Sequence, residues 1–538
     1  MPRSRFVLLC LTFCVLLIFT GAASAEIAAR PAIIPVPVKV EVGEGVFAID
    51  ATSVVMADEG SQGTARQLAA FLEPATGHKL QVVPFDKDKF NAAQKRLIVL
   101  MEDSAMDGVG TEGYRLDVSA SKIVLKAPSQ AGLFFGVQTL RQLLPPDVFS
   151  HEPVKNVQWA VPCVKIEDYP RFAWRGLMLD TGHDFQNLPF IYQFIDAMAL
   201  HKFNTLHWHI TDLGTWPMEV KKYPKLLDAA TRGWGVKQGS YTQDEMRKVV
   251  AYAAERHITL VPEIDMPGHS TPALLAYPEL SCPIPQEGRP WQYCVANPKT
   301  YEFLEEVLSQ LLDIFPSKFI HIGGDECPKD RWHACPLCQE KMKAENLKDE
   351  NELQSYFIKR IEKFLNSKGR RLIGWDEILE GGLAPDASVM SWRGIAGGIE
   401  AAKSNHDVVM AAATHLYFDY SQSIDKQSDP GANNADPVTL EETYSFEPIP
   451  KELTPDQGKH ILGAQGQIWS DTHPTEKQIE WLVYPRACAL AEVDWSPSGT
   501  RDYSAFLKRL AVHEQRLKAQ GVNMRPVATF PQPTEKSK

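Results

Sequence analysis

Phe319-Ile-His-Ile-Gly-Gly-Asp-Glu326 is a short apolar run that ends on two glycines and two carboxylates. Residues 319–323 read as a buried strand. The glycines let the backbone turn sharply and let a ligand come close. Polar strand exits of this kind recur along the chain. After Trp174, eight strand candidates alternate with helical stretches: Gly176–Asp180, Thr205–His209, Thr259–Glu263, Phe319–Gly323, Leu372–Trp375, Val389–Trp392, Val408–Ala412 and Ile461–Ile468. Helical segments fit Pro189–Lys202, Gln243–Arg256, Lys299–Phe315 and Glu352–Lys368. At or just after the strand ends stand Asp180, His209 with Asp212, Asp265 with His269, Asp325 with Glu326, Trp375, Trp392, Tyr417 with Asp419, and Trp469 with Asp471. Eight β/α repeats over about 320 residues predict a (β/α)8 TIM barrel, which gathers all these strand ends on one rim. An open doubly wound sheet is the alternative, but no glycine-rich phosphate turn follows the first strand.

Toward the N-terminus the pattern changes. Residues 26–168 mix short alternating strands (38–42, 114–118, 123–126) with apolar-periodic helices at Thr64–Leu72 and Gln130–Leu144. This reads as a small α+β domain ahead of the α/β barrel at 169–500. Residues 501–538 hold a final amphipathic helix, 502–517, and a polar tail. Residues 1–25 form a signal peptide: Arg3 and Arg5, an apolar run from Phe6 to Phe19, then Ala23-Ser24-Ala25 before Glu26. That run is too short for a good membrane span, and no later segment supplies one.

The 538 residues carry net charge −11, with 44% hydrophobic and 23% charged residues. This is globular composition, and the negative balance argues against a nucleic-acid partner. Cleavage before Glu26 removes Arg3, Arg5, Cys10 and Cys14, leaving charge −13 and seven of nine cysteines. Export permits disulfides, and Cys282 with Cys294 is a plausible pair. Cys327, Cys335 and Cys338 cluster and suit a structural disulfide; with His333 they could instead supply four zinc ligands, at odd spacing. No Asn begins an Asn-x-Ser/Thr sequon, which favours a bacterial exported protein over a glycosylated lysosomal one.

Asp325 and Glu326 suit proton transfer, because a partly buried carboxyl is held neutral by desolvation or a neighbouring charge. Their Cα atoms are only about 3.8 Å apart. Most glycosidases place two carboxyls across the scissile bond, about 5–9.5 Å apart. Adjacent acids therefore imply that one serves the leaving group and the other a different part of the substrate. His207 and His209 share one face of their strand. They are either hydrogen-bonded scaffolding or, with His269, His321 or Asp325, ligands to a metal. Asp265 and His269 flank a Pro-Gly turn and could pair with each other. Of 12 tryptophans, Trp375, Trp392 and Trp469 sit on strand ends. Indole faces there would suit a pyranose.

The segments Trp174–Asp180, Leu206–Asp212, Pro262–His269, His321–Glu326 and Tyr484–Glu492 together resemble glycoside hydrolase family 20, the β-N-acetylhexosaminidases. The resemblance spans nearly all of the mature chain. It implies that the substrate's own 2-acetamido oxygen is the nucleophile, with net retention. It implies that Glu326 is the general acid and then the base for water, and that Asp325 orients the acetamido N–H. Tyr417 would hydrogen-bond the acetamido oxygen. Trp375, Trp392 and Trp469 would wall the pocket. Arg175 would grip the 3- and 4-hydroxyls, Asp419 and Asp471 the outer ones. Asp212 belongs to the binding set, and Asp265 with His269 would support the acid. No cofactor and no metal are implied.

Three places depart from the family pattern. His183-Asp184-Phe185 replaces Arg-His-aromatic, Leu213-Gly214 replaces an acidic-or-Asn-then-Gln pair, and Asp471 stands for a glutamate. The expected partner is a glycan ending in β-linked N-acetylglucosamine or N-acetylgalactosamine. A disaccharide-releasing lacto-N-biosidase type, a metal-dependent barrel hydrolase on His207, His209 and His269, and a non-catalytic glycan binder are the alternatives. The chain is expected to be exported, periplasmic or secreted, with its oligomeric state open.

Overall fold

In the computed structural model, which describes residues 30–91, 96–228, 235–237 and 239–531, the strands fall into two sheets. The signal-peptide reading of residues 1–25 and the last seven residues of the expected polar tail, 532–538, lie outside the described residues. The first sheet holds β1 (Lys39–Ala48), β2 (Val54–Ala57), β3 (Gln81–Pro84), β4 (Leu97–Glu102), β5 (Tyr114–Val118), β6 (Lys122–Ala127) and β7 (Ala160–Asp168). Their order is β1-β7-β5-β6-β4-β2-β3, with parallel and antiparallel pairs mixed. In β5 buried and exposed residues alternate, which is why it is legible as a strand. The outer positions of β2 and β4 are covered, so they lack that alternation.

Helix Gln130–Leu143 starts on Ser129, whose side chain accepts the Gly132 N–H. It is buried on nearly every side because it lies between this sheet and the barrel. Its Phe135 ring meets Trp495 edge-on at 5.3 Å. The C-terminal helix, Tyr503–Ala519, donates from Arg516 Nη2 to the Gln142 carbonyl at 2.6 Å.

The second sheet is a closed barrel of β8 (Trp174–Asp180), β9 (Thr205–Thr211), β10 (Thr259–Ile264), β11 (Phe319–His321), β12 (Arg371–Trp375), β13 (Ser388–Ser391), β14 (Val408–Met410) and β15 (Ile461–Gly466). Each strand runs parallel to the next, and β15 pairs with β8 to close the ring. The expected eight-stranded α/β barrel is thus present, behind a small α+β unit. Its interior sets Trp174 edge-on against Phe319 near the N-terminal ends of the strands and fills with Val261, Ile373, Met390 and Val409. Trp375, Trp392 and Trp469 continue this packing toward the opposite rim. β9 and β10 fall out of register after Glu263, where Ile264 pairs with Thr211 rather than Ile210. Such a slip bends a strand end and re-aims the side chains beyond it.

The disulfide expected between Cys282 and Cys294 is not formed; both are free thiols. Nor does the zinc set of Cys327, His333, Cys335 and Cys338 assemble. Cys335 and Cys338 turn into the protein, whereas His333 lies on the outside and pairs with Glu350. No helix among the described residues is long and apolar enough to cross a membrane.

Candidate active site

The exit of β11 sets the site. Gly323 and Gly324 have φ of 70° and 99°. A Cβ on Gly323 would lie 1.8 Å from Asp265 Oδ1, so only glycine fits there. Glu326 itself holds φ 44°, in the left-handed region. The turn leaves the Asp325 side chain 11% exposed and that of Glu326 56% exposed. His269, also left-handed at φ 47°, brings its Nε2 to 3.6 Å from Asp325 Oδ2 and 3.6 Å from Glu326 Oε2. One imidazole therefore bridges both carboxylates.

Electrostatics follow from that geometry. Burial would lower the His269 pKa, but the charges of Asp212 and Asp325 raise it well above its ordinary value, so the ring is cationic. Attraction to His269 holds Glu326 below the ordinary glutamate range. Burial pushes Asp325 up against the pull of His269, and the charges of Glu263 and Asp212 add to the rise.

The partner of His269 differs from the expected one. Its Nδ1 donates to Asp212 Oδ1 at 2.7 Å, not to Asp265. The register slip at the end of β9 directs Asp212 inward, while Asp265 turns to the Gly323–Gly324 corner and accepts the Gly324 N–H at 3.4 Å. Burial and the Asp325 charge raise the Asp265 pKa well above the usual carboxyl range. Asp212 also accepts a hydrogen bond from His209 Nε2 at 3.0 Å and faces His183 Nε2 at 3.4 Å.

Below the rim, Glu263 is fully buried and surrounded by ring nitrogens. His207 Nε2 lies at 2.9 Å, His321 Nδ1 at 2.8 Å and Trp375 Nε1 at 3.0 Å, with His209 Nδ1 beside them. The H-x-H motif thus scaffolds a buried carboxylate and, through it, Trp375. Sequence reasoning offered these histidines as hydrogen-bonded scaffolding but gave Glu263, the end of its strand candidate, no role.

A cavity of about 210 Å³ opens on the rim. Its lining includes Asp212, His269, Asp325, Glu326, Trp375, Trp392, Tyr417, Asp419, Trp469 and Asp471, all expected at the site. It also includes His183, Tyr420 and Asn433. Trp392 and Tyr417 stack at 6.0 Å, and Trp375 and Trp469 meet at 5.8 Å. Trp392 is held by Glu377, which accepts its Nε1–H at 2.9 Å. Asp419 is buried in the cavity wall, and neither carboxyl oxygen has a side-chain hydrogen-bond partner. Burial and the Asp471 charge push its pKa well above the usual range. Asp471 accepts from Asn433 Nδ2 at 3.1 Å. Asn433 and Tyr420 come from the long segment 414–460, which also carries Tyr417 and Asp419.

Arg175, expected on the sugar hydroxyls, is not at the cavity. It is the second residue of β8, about 16 Å along the strand from Asp180. Its guanidinium is buried at the opposite mouth, forked onto Glu112 at 2.8 and 2.9 Å. His183, noted in the sequence only as a departure, occupies the cavity wall. Its Nδ1 meets Asp180 Oδ2 at 2.9 Å. Burial would lower its pKa, but Asp212 and Asp180 raise it to about 9, so it is cationic at neutral pH.

Two family models match the chain. One, described as glycosyl hydrolase family 20, catalytic domain, covers residues 172–498; the other, family 20, domain 2, covers 30–169. A beta-hexosaminidase of Porphyromonas gingivalis is 42% identical over 511 residues, spanning 91% of this chain. This chain spans 64% of the length of that relative. A solved GH20 beta-N-acetylhexosaminidase from Streptomyces coelicolor A3(2) has TM-score 0.81 at 30% identity, covering 94% of this chain and 100% of its own. A mutant Streptomyces plicatus beta-hexosaminidase solved with its product GlcNAc has TM-score 0.80 at 30% identity, covering 94% and 98%.

Proposed function

The chain belongs to glycosyl hydrolase family 20, and from that premise we propose that it is an exported, retaining exo-β-N-acetylhexosaminidase using the substrate's 2-acetamido group as nucleophile. The observation that carries this reading is the placement of Asp325 and Glu326 on one side of the cavity, both facing His269 Nε2. No ionised carboxylate across the ring is needed if the acetamido oxygen attacks the anomeric carbon. Asp419, with its raised pKa, is suited to hydrogen-bonding rather than attack.

Glu326 gives its proton to the glycosidic oxygen as the bond to the anomeric carbon breaks. The acetamido oxygen closes on that carbon to form an oxazolinium ion. Asp325, ionised, accepts the acetamido N–H and offsets the positive charge. Tyr417 O–H donates to the acetamido oxygen. Glu326 then takes a proton from water, which opens the ring from the same face and restores the starting configuration. Asp212 orients His269, and His269 tunes the two acids. Trp375, Trp392 and Trp469 pack on the sugar, and Asp419 and Asp471 bind its outer hydroxyls.

The cavity volume of about 210 Å³ suits one sugar ring at a chain end, which favours release of a monosaccharide over a disaccharide. The histidines of the metal-dependent alternative have carboxylate partners: Glu263 for His207, Glu263 and Asp212 for His209, and Asp212 for His269. Export rests on the residue pattern of 1–25. The test is turnover of aryl β-N-acetylglucosaminide and β-N-acetylgalactosaminide by the mature chain. Glu326→Gln and Asp325→Asn should each lower kcat by about 10²–10⁴-fold. An aryl β-glucoside lacking the acetamido group should be nearly inert; equal turnover of it would overturn the mechanism.

A further inference from the structure

Four cysteines outside the catalytic cavity converge on one point. Cys282 and Cys294 bracket a loop that follows β10. Cys335 and Cys338 lie in the insertion after β11, at the start of helix Pro336–Glu345. Their relative exposures are 4%, 0%, 0% and 0%. All four sulfurs lie within 4.8 Å of one another. Cys338 Sγ is 3.9 Å from Cys282 Sγ and 3.8 Å from Cys294 Sγ. Zinc binds thiolates at about 2.3 Å, so the edge of a tetrahedral four-sulfur site is about 3.8 Å. A disulfide would bring a pair of sulfurs to about 2.05 Å.

We propose that Cys282, Cys294, Cys335 and Cys338 form a closed, structural zinc site. The four thiols release their protons to solvent on binding, and the centre carries two net negative charges. Cys335 caps the N-terminus of helix Pro336–Glu345, whose dipole favours that charge. The Ala296 N–H hydrogen-bonds the Cys294 sulfur. With four protein ligands the ion has no open position, so it takes no part in the glycosidase chemistry.

The site fastens two loops of the catalytic rim to each other. The loop between Cys282 and Cys294 carries Trp291, whose ring lies 5.1 Å from that of His269. The insertion with Cys335 and Cys338 begins at Cys327, directly after Glu326. The loops already touch: Trp332 Nε1 donates to the Tyr293 carbonyl at 2.9 Å, and Gln292 Nε2 to the Pro328 carbonyl at 3.0 Å. Zinc would lock this contact and so hold His269 and Glu326 in place.

The test uses the full mature chain, purified without chelator or reductant. Elemental analysis should find one zinc per chain, and intact mass should show no disulfide among these four cysteines. Replacement by Co(II) should give the intense thiolate-to-metal absorption and visible bands of a tetrahedral four-sulfur centre. Cys335→Ser/Cys338→Ser should lose the zinc and lower Tm, whereas Cys163→Ser should keep it. If the double variant does not fold, the Co(II) spectrum of the unaltered chain still decides. A metal-free protein with disulfides among these cysteines would overturn the proposal, as would a Co(II) spectrum without sulfur ligation. None of these readouts depends on hexosaminidase activity.

Discussion

In the proposed mechanism Glu326 must be protonated and Asp325 ionised in the same molecule. Glu326 is held below the ordinary range by its attraction to His269, and Asp325 is raised by burial. The two carboxyls titrate as a pair, so the rate falls at low pH where both are protonated and at higher pH where both are ionised. The bell in kcat/KM for the aryl glycoside should be centred in the acidic range. His269→Ala removes a charge that lowers both carboxyl pKa values, so both limbs should move to higher pH as the maximum falls. A pH–rate profile checks this; unmoved limbs would separate His269 from the two acids. Asp471 is the residue to probe for sugar choice. Its link to Asn433 at 3.1 Å sets it at the cavity edge. Asp471→Ala should raise KM about ten- to a hundredfold, the worth of one charge-assisted hydrogen bond. The N-acetylglucosaminide to N-acetylgalactosaminide ratio should change with it.

At the scale of elements, the site depends on how strands end. β11 pairs over only three residues before Gly323 and Gly324 turn the chain. Gly323→Ala would drive a Cβ into Asp265 and impose a left-handed backbone on alanine. It should destabilise the fold by about 2–5 kcal/mol and lower kcat, readable as Tm and turnover. The slip between β9 and β10 matters as much, since it aims Asp212 at His269. The segment 414–460 joins the rim through a bridge between Tyr417 and Gln467 and supplies Tyr420 and Asn433 to the cavity wall.

Across the whole molecule, the smaller unit is bound to the barrel by buried charge. Arg175 of β8 forks onto Glu112, and Lys202 pairs with Asp168 at 2.7 Å with both side chains fully buried. Tyr114 O–H completes the second cluster by donating to Asp168 at 2.6 Å. Removing one member strands the other in a low dielectric. Arg175→Met should cost about 3–5 kcal/mol of stability. The KM of the folded fraction should stay unchanged, whereas a sugar ligand at this position would show the reverse, a raised KM with little loss of Tm.

The alternation of eight buried strands with helices was legible in the residues, and so were the chemical side chains at the strand ends. Barrel closure places C-terminal ends on one rim whatever the loops do, so Asp325, Glu326, Trp375, Trp392, Tyr417 and Trp469 could be assigned to one cavity from strand position. Arg175 failed that rule, standing near the start of its strand rather than its end. Pairings across distant segments were not legible. Asp265, four residues from His269, looked like its partner, yet Asp212, 57 residues away, holds it. Cys282 and Cys294 read as one local pair and Cys335 and Cys338 as part of a separate cluster; the four meet only when two rim loops fold together. Period and strand position are properties of neighbouring residues and survive in the sequence. Which carboxylate meets which imidazole, and which thiols converge, depends on closing the barrel, where register and loop packing bring together residues that the chain keeps apart.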